Sequence, residues 1–369
     1  MNLKNVLKSI VLTCLAVFSL NVSFANEKKT EENMEDAELD IIHHIKDAHE
    51  WHLWGPEHGG TTIYLPVILM DGGMKTFSSE ELYDGNEVEA LDEDGHDLGF
   101  KYVANTELGY GFIHEKIYKL NGEGKLNFSK EGHPENARPF DFSITKNTLS
   151  LFFGAILIII LTVTAASFYK KNGAVAPKGL AKFIEPLVVF VRDDVAKANI
   201  HGGKHEKYLP YLLTIFFFIF INNLMGLIPI LPGGANLTGN ISVTIVLAVF
   251  TLLITVLSGN KNYWSHIFAA PGVPIALLPI MIPIELVGIL TKPFALMISL
   301  FANMASGHII VLALISIIFV NQSAWWGFLS VPMALFISVL ELLVCFLQAY
   351  LFAMLSALFI GAAVEEHHH

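Results

Sequence analysis

The chain has 369 residues, of which 53% are hydrophobic and 15% charged, and its mean hydropathy of +0.53 excludes an ordinary soluble globular protein. The net charge of −11 conceals two opposite blocks: residues 26 to 145 carry 26 Asp and Glu against 10 Lys and Arg, and residues 146 to 369 carry 8 against 11. An acidic polar block ahead of an apolar, weakly basic one predicts two domains in two media, and it excludes a nucleic-acid binder built on a basic face.

At the N-terminus, Lys4 and Lys8 precede the apolar run Ile10 to Leu20, and Ser23-Phe24-Ala25 supplies small residues behind it. A run this short does not span a ~30 Å hydrocarbon core, so residues 1–25 read as a signal peptide and the chain from Asn26 as exported. Cys14 lies inside the run behind Thr13, a poor fit to a lipoprotein cleavage site. The other cysteine is Cys345, and no CxxC occurs, so a disulfide framework, a zinc site and a thiol redox pair are excluded.

Residues 26–145 alternate short apolar segments with turn signals such as Asp71-Gly72-Gly73, Asp84-Gly85, Asp94-Gly95 and Asn121-Gly122. A small β-containing exported domain with a thin core is predicted. His43, His44, His49, His52 and His58 crowd near Glu50 and Glu57, but no HExxH spacing appears. The tract reads as a solvated polar segment rather than a metal site.

From residue 146 the apolar stretches are membrane-length. Leu149 to Tyr169 ends at Lys170-Lys171, and residues 170 to 207 hold eight Lys and Arg against four acids, which puts this connector on the cytoplasmic side. Within it, KFIEPLVVFVRDDV fits a helix lying at the membrane surface. Tyr208 to Leu231 returns outward, Pro232-Gly233-Gly234 breaks it, and Ile241 to Ser258 comes back to Lys261. The stretches Ile275 to Val320 and Ala324 to Ala362 would make helices about 65 and 55 Å long, too long to stand upright in the bilayer. No polar turn cluster divides Pro293 from Val320, so a hairpin of two long tilted helices is predicted. The fold class is an all-α integral membrane bundle of about five crossings over residues 146–366, with the Glu365-Glu366-His tail inside.

Six polar groups interrupt the last two helices: Glu285, Lys292, Asn303, His308, Glu341 and Gln348. A charge at the centre of a membrane helix costs about 2.5–3.5 kcal/mol on insertion scales, so these groups mark a pathway by default. Residues seven apart lie within about 20° on a helix surface, so Glu285, Lys292 and Ser299 form one stripe, joined by Asn303 one turn later. His308 lies about 180° around from Ser299, and Glu341 and Gln348 again stand seven apart, which predicts two separate water-accessible half-paths. A local Glu285–Lys292 ion pair and interhelical hydrogen bonds are the alternative reading. Gly288, Ala295, Ala302, Ser306 and Gly307 read as close-packing positions.

The stretches LTKPFALMISLFANMASGHII (Leu290 to Ile310) and VCFLQAYLFAMLSALFI (Val344 to Ile360) resemble the last two helices of subunit a of the F-type ATP synthase membrane sector. NNLMGLIP (Asn222 to Pro229) and ANLTGNISVT (Ala235 to Thr244) resemble its middle hairpin, so the resemblance covers about residues 146 to 366. It implies a non-catalytic, proton-conducting stator in a bacterial inner membrane, with the c-ring, the subunit b stalk and the lipid bilayer as partners. Lys292, Asn303, His308, Glu341 and Gln348 fall on the family's polar positions, and the family's Glu and His are exchanged at His308 and Glu341. Ser299 stands where the family carries an essential arginine. Three accounts follow: Lys292 substitutes for it, the copy assembles without coupling, or a partner supplies the charge. No cofactor is implied, and no GxxxxGK[ST] occurs, so no ATP is bound directly. The alternative is a stand-alone secondary transporter, which inverted repeats and paired broken helices would favour; no convincing repeat links the early hairpin with the last one.

Overall fold

The computed structural model describes residues 47–54, 61–173, 175–228, 233–268, 274, 277–321 and 323–365. The signal-peptide segment, Cys14, His43, His44, His58, Pro232 and the residues beyond Glu365 lie outside them.

Residues 47–145 form a β-rich unit, as the turn-rich acidic block predicts. Strands β1 (Glu50–Trp54) and β2 (Thr61–Tyr64) make a hairpin, and β3 (Pro66–Met70), β4 (Met74–Ser78) and β9 (Phe140–Asp141) make a three-stranded antiparallel sheet with β3 central. A four-stranded meander follows from β5 (Asn86–Leu91), β6 (Asp97–Asn105), β7 (Tyr110–Ile113) and β8 (Lys116–Lys119). Helix α1 (Ser79–Tyr83) starts at the Ser78 hydroxyl, which accepts from the Glu80 N–H. The expected turns close the hairpins: Gly72 and Gly95 take the left-handed conformation in the Asp71 and Asp94 turns. Two small cores result, one around Val67, Leu69, Leu82, Tyr110 and Ile117, the other around Tyr102, Ala104, Leu126 and Phe128.

Five helices are long and apolar enough to cross a membrane: α2 (Lys146–Asn172), α4 (His205–Gly226), α5 (Ile241–Ser258), α7 (Leu278–Val320) and α8 (Gly327–Val364). Shorter helices α3 (Ala181–Phe190) and α6 (Lys261–Phe268) connect them, and α3 continues into a π-helical segment at Val191–Lys197. The two longest helices run unbroken through Pro283, Pro293 and Pro332 and pack against each other as the predicted hairpin.

Of the surface helix expected of KFIEPLVVFVRDDV, Phe183 and Val189 are exposed, while the second half packs into the protein: Val191, Val195, Ala196 and Ile200 are fully buried in the bundle, and Phe190 joins an aromatic cluster with Phe216, Phe346 and Tyr350. The π-turn and the buried alanine bring the backbone close enough for this, so that Asn199 lies directly against Gly361 of α8. A hydroxyl chain crosses the bundle, with Tyr211 and Thr251 at 2.8 Å and Thr251 and Ser356 at 3.2 Å. At the far end of α8, the Lys204 ammonium donates to the Val364 carbonyl at 2.9 Å and the Asn260 amide donates to the Glu365 carbonyl at 2.6 Å.

The β-rich unit is fastened to the first membrane helix. Thr145 caps α2 by accepting from the Thr148 N–H, and the Asp47 carboxylate accepts from the Thr145 hydroxyl and the Asn147 N–H, each at 3.0 Å. Beside it, His49 donates toward Asp141 at 3.3 Å and meets the Phe112 ring edge-on. His49 is buried, contrary to the solvated reading of the histidine tract, because it packs against Phe112 of β7 and Asp141 of β9 just before β1 begins.

Burial would raise the Asp141 carboxyl, but hydrogen bonds from His49 and Ser143 outweigh it and hold the group down at about 2. A depressed folded value stabilises the fold above the ordinary carboxylate range. This contribution, about 2 kcal/mol, is lost as pH falls through the interval from 3.8 to about 2. Acid unfolding of the full chain should therefore steepen in that interval, and Asp141→Asn should flatten it and lower stability at neutral pH by a similar amount, as read by thermal melts across pH.

Candidate functional site

The intramembrane polar residues gather along the face where α7 and α8 run antiparallel. On α8 the Glu341 carboxylate lies against Gly307 of α7, so closely that a Cβ there would overlap its Oε1. Gly307 is thus the position that admits the carboxylate into the helix pair, and His308 follows it in sequence, half-buried. Further along, Ser299 of α7 and Gln348 of α8 line one cleft of about 360 Å³ with Lys292, whose ammonium sits 5.7 Å from the centre of the Phe359 ring. The two helices keep step in opposite directions. Eight residues on α7, from Ser299 to Gly307, match seven on α8, from Gln348 back to Glu341. At 1.5 Å per residue the two polar stations are about 10–12 Å apart along the axis.

This arrangement alters the geometry expected from helical periodicity. Glu341 and Gln348 do share the face that meets α7, as their spacing predicts. The separation of the two stations is axial as well as angular, because both Ser299 and Gly307 face α8. No ion pair joins Glu285 to Lys292 among the described residues. Glu285 is half-buried nearer the start of α7, where burial and then the Glu285 charge push the Tyr263 hydroxyl on α6 upward. Lys292, Ser299 and Asn303 are exposed on the isolated chain, whereas Gln348 is buried. A polar stripe exposed at membrane depth, flanked by exposed Ile298 and Phe294, is a surface that requires a partner or water.

A second polar group escaped sequence reasoning. Asn222 and Asn223 near the end of α4, with Asn236 and Thr238 of the following turn, are all buried. The Thr238 hydroxyl donates to Asn223 Oδ1, and Asn236 Nδ2 donates to the Met304 carbonyl at 3.3 Å, one turn before His308. Asn222 Oδ1 and Asn223 Nδ2 find no partner among the described residues, a situation that costs about 1–3 kcal/mol per group in a dry interior. The available signal was two adjacent amides inside an apolar span, subject to the same insertion cost that singled out Glu341. Gly154 of α2 makes room for Asn222, since a Cβ would overlap its side-chain oxygen.

Five membrane-length helices, among them a long antiparallel pair that carries two polar stations, define a polytopic membrane protein. The family model for the ATP synthase A chain matches residues 149–361, and the chain belongs to that family. It is 52% identical over 231 residues to "ATP synthase subunit a 2" of Chlorobaculum tepidum, a match taking in 61% of this chain and 64% of that one. With "ATP synthase subunit a 2" of Prosthecochloris aestuarii the identity is 48% over 316 residues, covering 83% and 93%. With "ATP synthase subunit a" of Chloroherpeton thalassium it is 39% over 331 residues, covering 84% and 90%. A second family model, described as a domain of unknown function, matches residues 40–142.

The glycines differ in what they permit. At Gly361 a Cβ would overlap the Asn199 carbonyl, a backbone atom that cannot rotate away, whereas at Gly288 nothing lies within 4 Å, against the close packing expected there. Gly361→Ala should therefore lower thermal stability in detergent by about 1–3 kcal/mol. Gly288→Ala should be neutral or should stabilise by up to ~1 kcal/mol, as a helix-interior glycine replaced without a clash.

Proposed function

We propose that the chain is the proton-conducting stator subunit of an F-type ATP synthase, with residues 26–145 exported and the tail after α8 cytoplasmic. The observation that carries this reading is the axial offset between the Gly307–Glu341 contact and the Ser299–Gln348 cleft. Two polar stations on one helix pair, separated by two turns, suit two half-channels that open to opposite sides and meet a moving carboxylate at different heights.

The basic connector supports the orientation. Its Lys204 reaches the end of α8, so the positively charged loop and that end lie on one side, which the positive-inside tendency makes cytoplasmic. The Asn222–Asn236 cluster then lies toward the outer side and leads to His308 and Glu341. Amides and hydroxyls there hold water and orient it, and an imidazole and a carboxylate are groups that accept and release protons. Glu285 and Lys292 lie toward the inner side and line the second path. The exposed Lys292, Ser299 and Asn303 stripe faces the c-ring, whose carboxylates accept a proton at one station and release it at the other. A subunit b stalk would hold the chain against rotation.

Between the stations, a fixed cation would favour the ionised form of the passing carboxylate and bar direct proton transfer between the paths. Ser299 is neutral and supplies no such field. Lys292 borders the same cleft, but its ammonium rests over Phe359 at the cleft's edge, and a flexible point charge without a planar fork of donors is a poor stand-in for a guanidinium. On this reading the chain assembles with its ring but couples weakly.

The cleft leaves room for a longer side chain. Ser299→Arg should raise proton-driven ATP synthesis in inverted membrane vesicles several-fold and reduce passive proton leak. No change in either rejects weak coupling at this position. In the Ser299→Arg background, Glu341→Gln should abolish proton-driven synthesis, and retention of synthesis would remove Glu341 from the path.

A further inference from the structure

The three-stranded sheet of the β-rich unit has an apolar face that no part of the described chain covers. Alternation along β3 turns Val67 and Leu69 into the core, fully buried, and Ile68 and Met70 outward. Met70 pairs directly with Met74 of β4 and with Phe140 of β9, so these three side chains lie side by side on the outer face. Phe142 joins them, since its N–H donates to the Ile68 carbonyl and continues the same register. Exposure reaches 53% at Met70, 72% at Met74, 78% at Phe140 and 63% at Phe142.

Two large methionines and two phenylalanines in one contiguous exposed patch are unusual on a soluble domain and mark a contact surface. The contrast with the rest of the block is sharp. Residues 26 to 145 hold 26 acids, yet this sheet face presents none: the outward residues of β3 and β4 are Pro66, Ile68, Met70, Met74, Thr76 and Ser78.

The position of the patch selects its occupant. Phe142 stands three residues before Thr145, the cap of α2, a separation of at most about 10 Å even if the chain is fully extended. Helix α2 then presents Phe152, Phe153 and Ile156 outward at membrane depth. The Asp47 and His49 contacts to the start of α2 and to Asp141 hold the sheet against this junction rather than on a free linker. The patch thus stands within about 10 Å of chain from the first turn of α2, where a crossing helix enters the headgroup region. Aromatic side chains are favoured at that level, and flexible thioethers adapt to an irregular surface.

We propose that the Met70–Met74–Phe140–Phe142 face rests in the headgroup region of the outer leaflet, so that the β-rich unit lies down on the bilayer and its occupant is a lipid surface. Contact is apolar rather than electrostatic, which suits an acidic block that anionic lipid repels. The inference depends on α2 crossing the membrane and not on the proton path, so either reading can fail alone.

The test uses the full chain, reconstituted in lipid nanodiscs on a Cys14→Ser, Cys345→Ser background. A spin label is placed at Met74→Cys, at Phe140→Cys or at Glu93→Cys, all exposed positions outside the core. The ratio of collisions with oxygen to collisions with an aqueous nickel chelate should be several-fold higher at 74 and 140 than at 93. A ratio at 74 and 140 equal to that at 93 means the face is bathed in water and overturns the proposal. Shielding from both reagents means that protein covers the face, and it overturns the proposal equally. Agreement between two independent label positions guards against a local effect of either substitution.

Discussion

A side chain that carries charge or an amide into hydrocarbon must find water or a partner there, and this requirement orders the membrane half of the molecule. Glu341 meets it by entering the gap that Gly307 leaves in α7, and Gln348 by burial beside the Ser299 cleft. Asn236 reaches across to the Met304 carbonyl, and the hydroxyls of Tyr211, Thr251 and Ser356 satisfy one another between three helices. Each solution depends on the antiparallel step of α7 against α8. A slip of that pairing by one residue would turn Gly307 away from Glu341 and strand a carboxylate against a side chain. The register of the hairpin thus decides whether the Glu341 carboxylate faces the gap at Gly307.

Much of this was legible in the sequence, because hydropathy and polar interruptions are local signals. The five crossings, the unbroken last two helices and the functional candidates Glu341 and Gln348 follow from run lengths and spacing alone. The turns at Gly72 and Gly95 follow from Asp-Gly chemistry. What the sequence could not supply is which faces meet. The connector KFIEPLVVFVRDDV has the amphipathic pattern of a surface helix, and that pattern is indifferent to whether its apolar side meets lipid or protein. Aromatic stacking on Phe190 and the close approach of Asn199 to Gly361 decide for protein over its second half. His49 likewise sits in a polar, histidine-rich tract and is drawn inward by Phe112 and Asp141, residues far away in sequence. Helical periodicity assigned angles to Ser299 and His308 but gave no position along the partner helix, so the axial offset emerged only from the α7–α8 pairing.

The electrostatics of the cleft follow from the groups that line it. Gln348, Ser299 and the backbone offer dipoles, and dipoles orient water without fixing a charge. Lys292 is the nearest cation along the stripe, two turns away, and its contact with Phe359 draws it toward the end of α8 that Lys204 also caps. Helix packing thus sets the shape of the cleft and the offset of the two stations, whereas single side chains set the charge inside it.

The β-rich unit extends the same logic outside the bilayer. Asp47 caps α2 while His49 and Ser143 hold Asp141, so the domain is joined to the first crossing through buried hydrogen bonds instead of a loose tether. Such a joint transmits orientation: whatever plane the three-stranded sheet adopts, α2 adopts a fixed tilt to it. An apolar sheet face beside that joint would then set the tilt by lying on the leaflet. Because Gly154 of α2 seats Asn222, the tilt of the first helix bears on the buried amide cluster that leads toward His308. The β-rich unit is in this way joined to the buried amide cluster through one helix and one glycine.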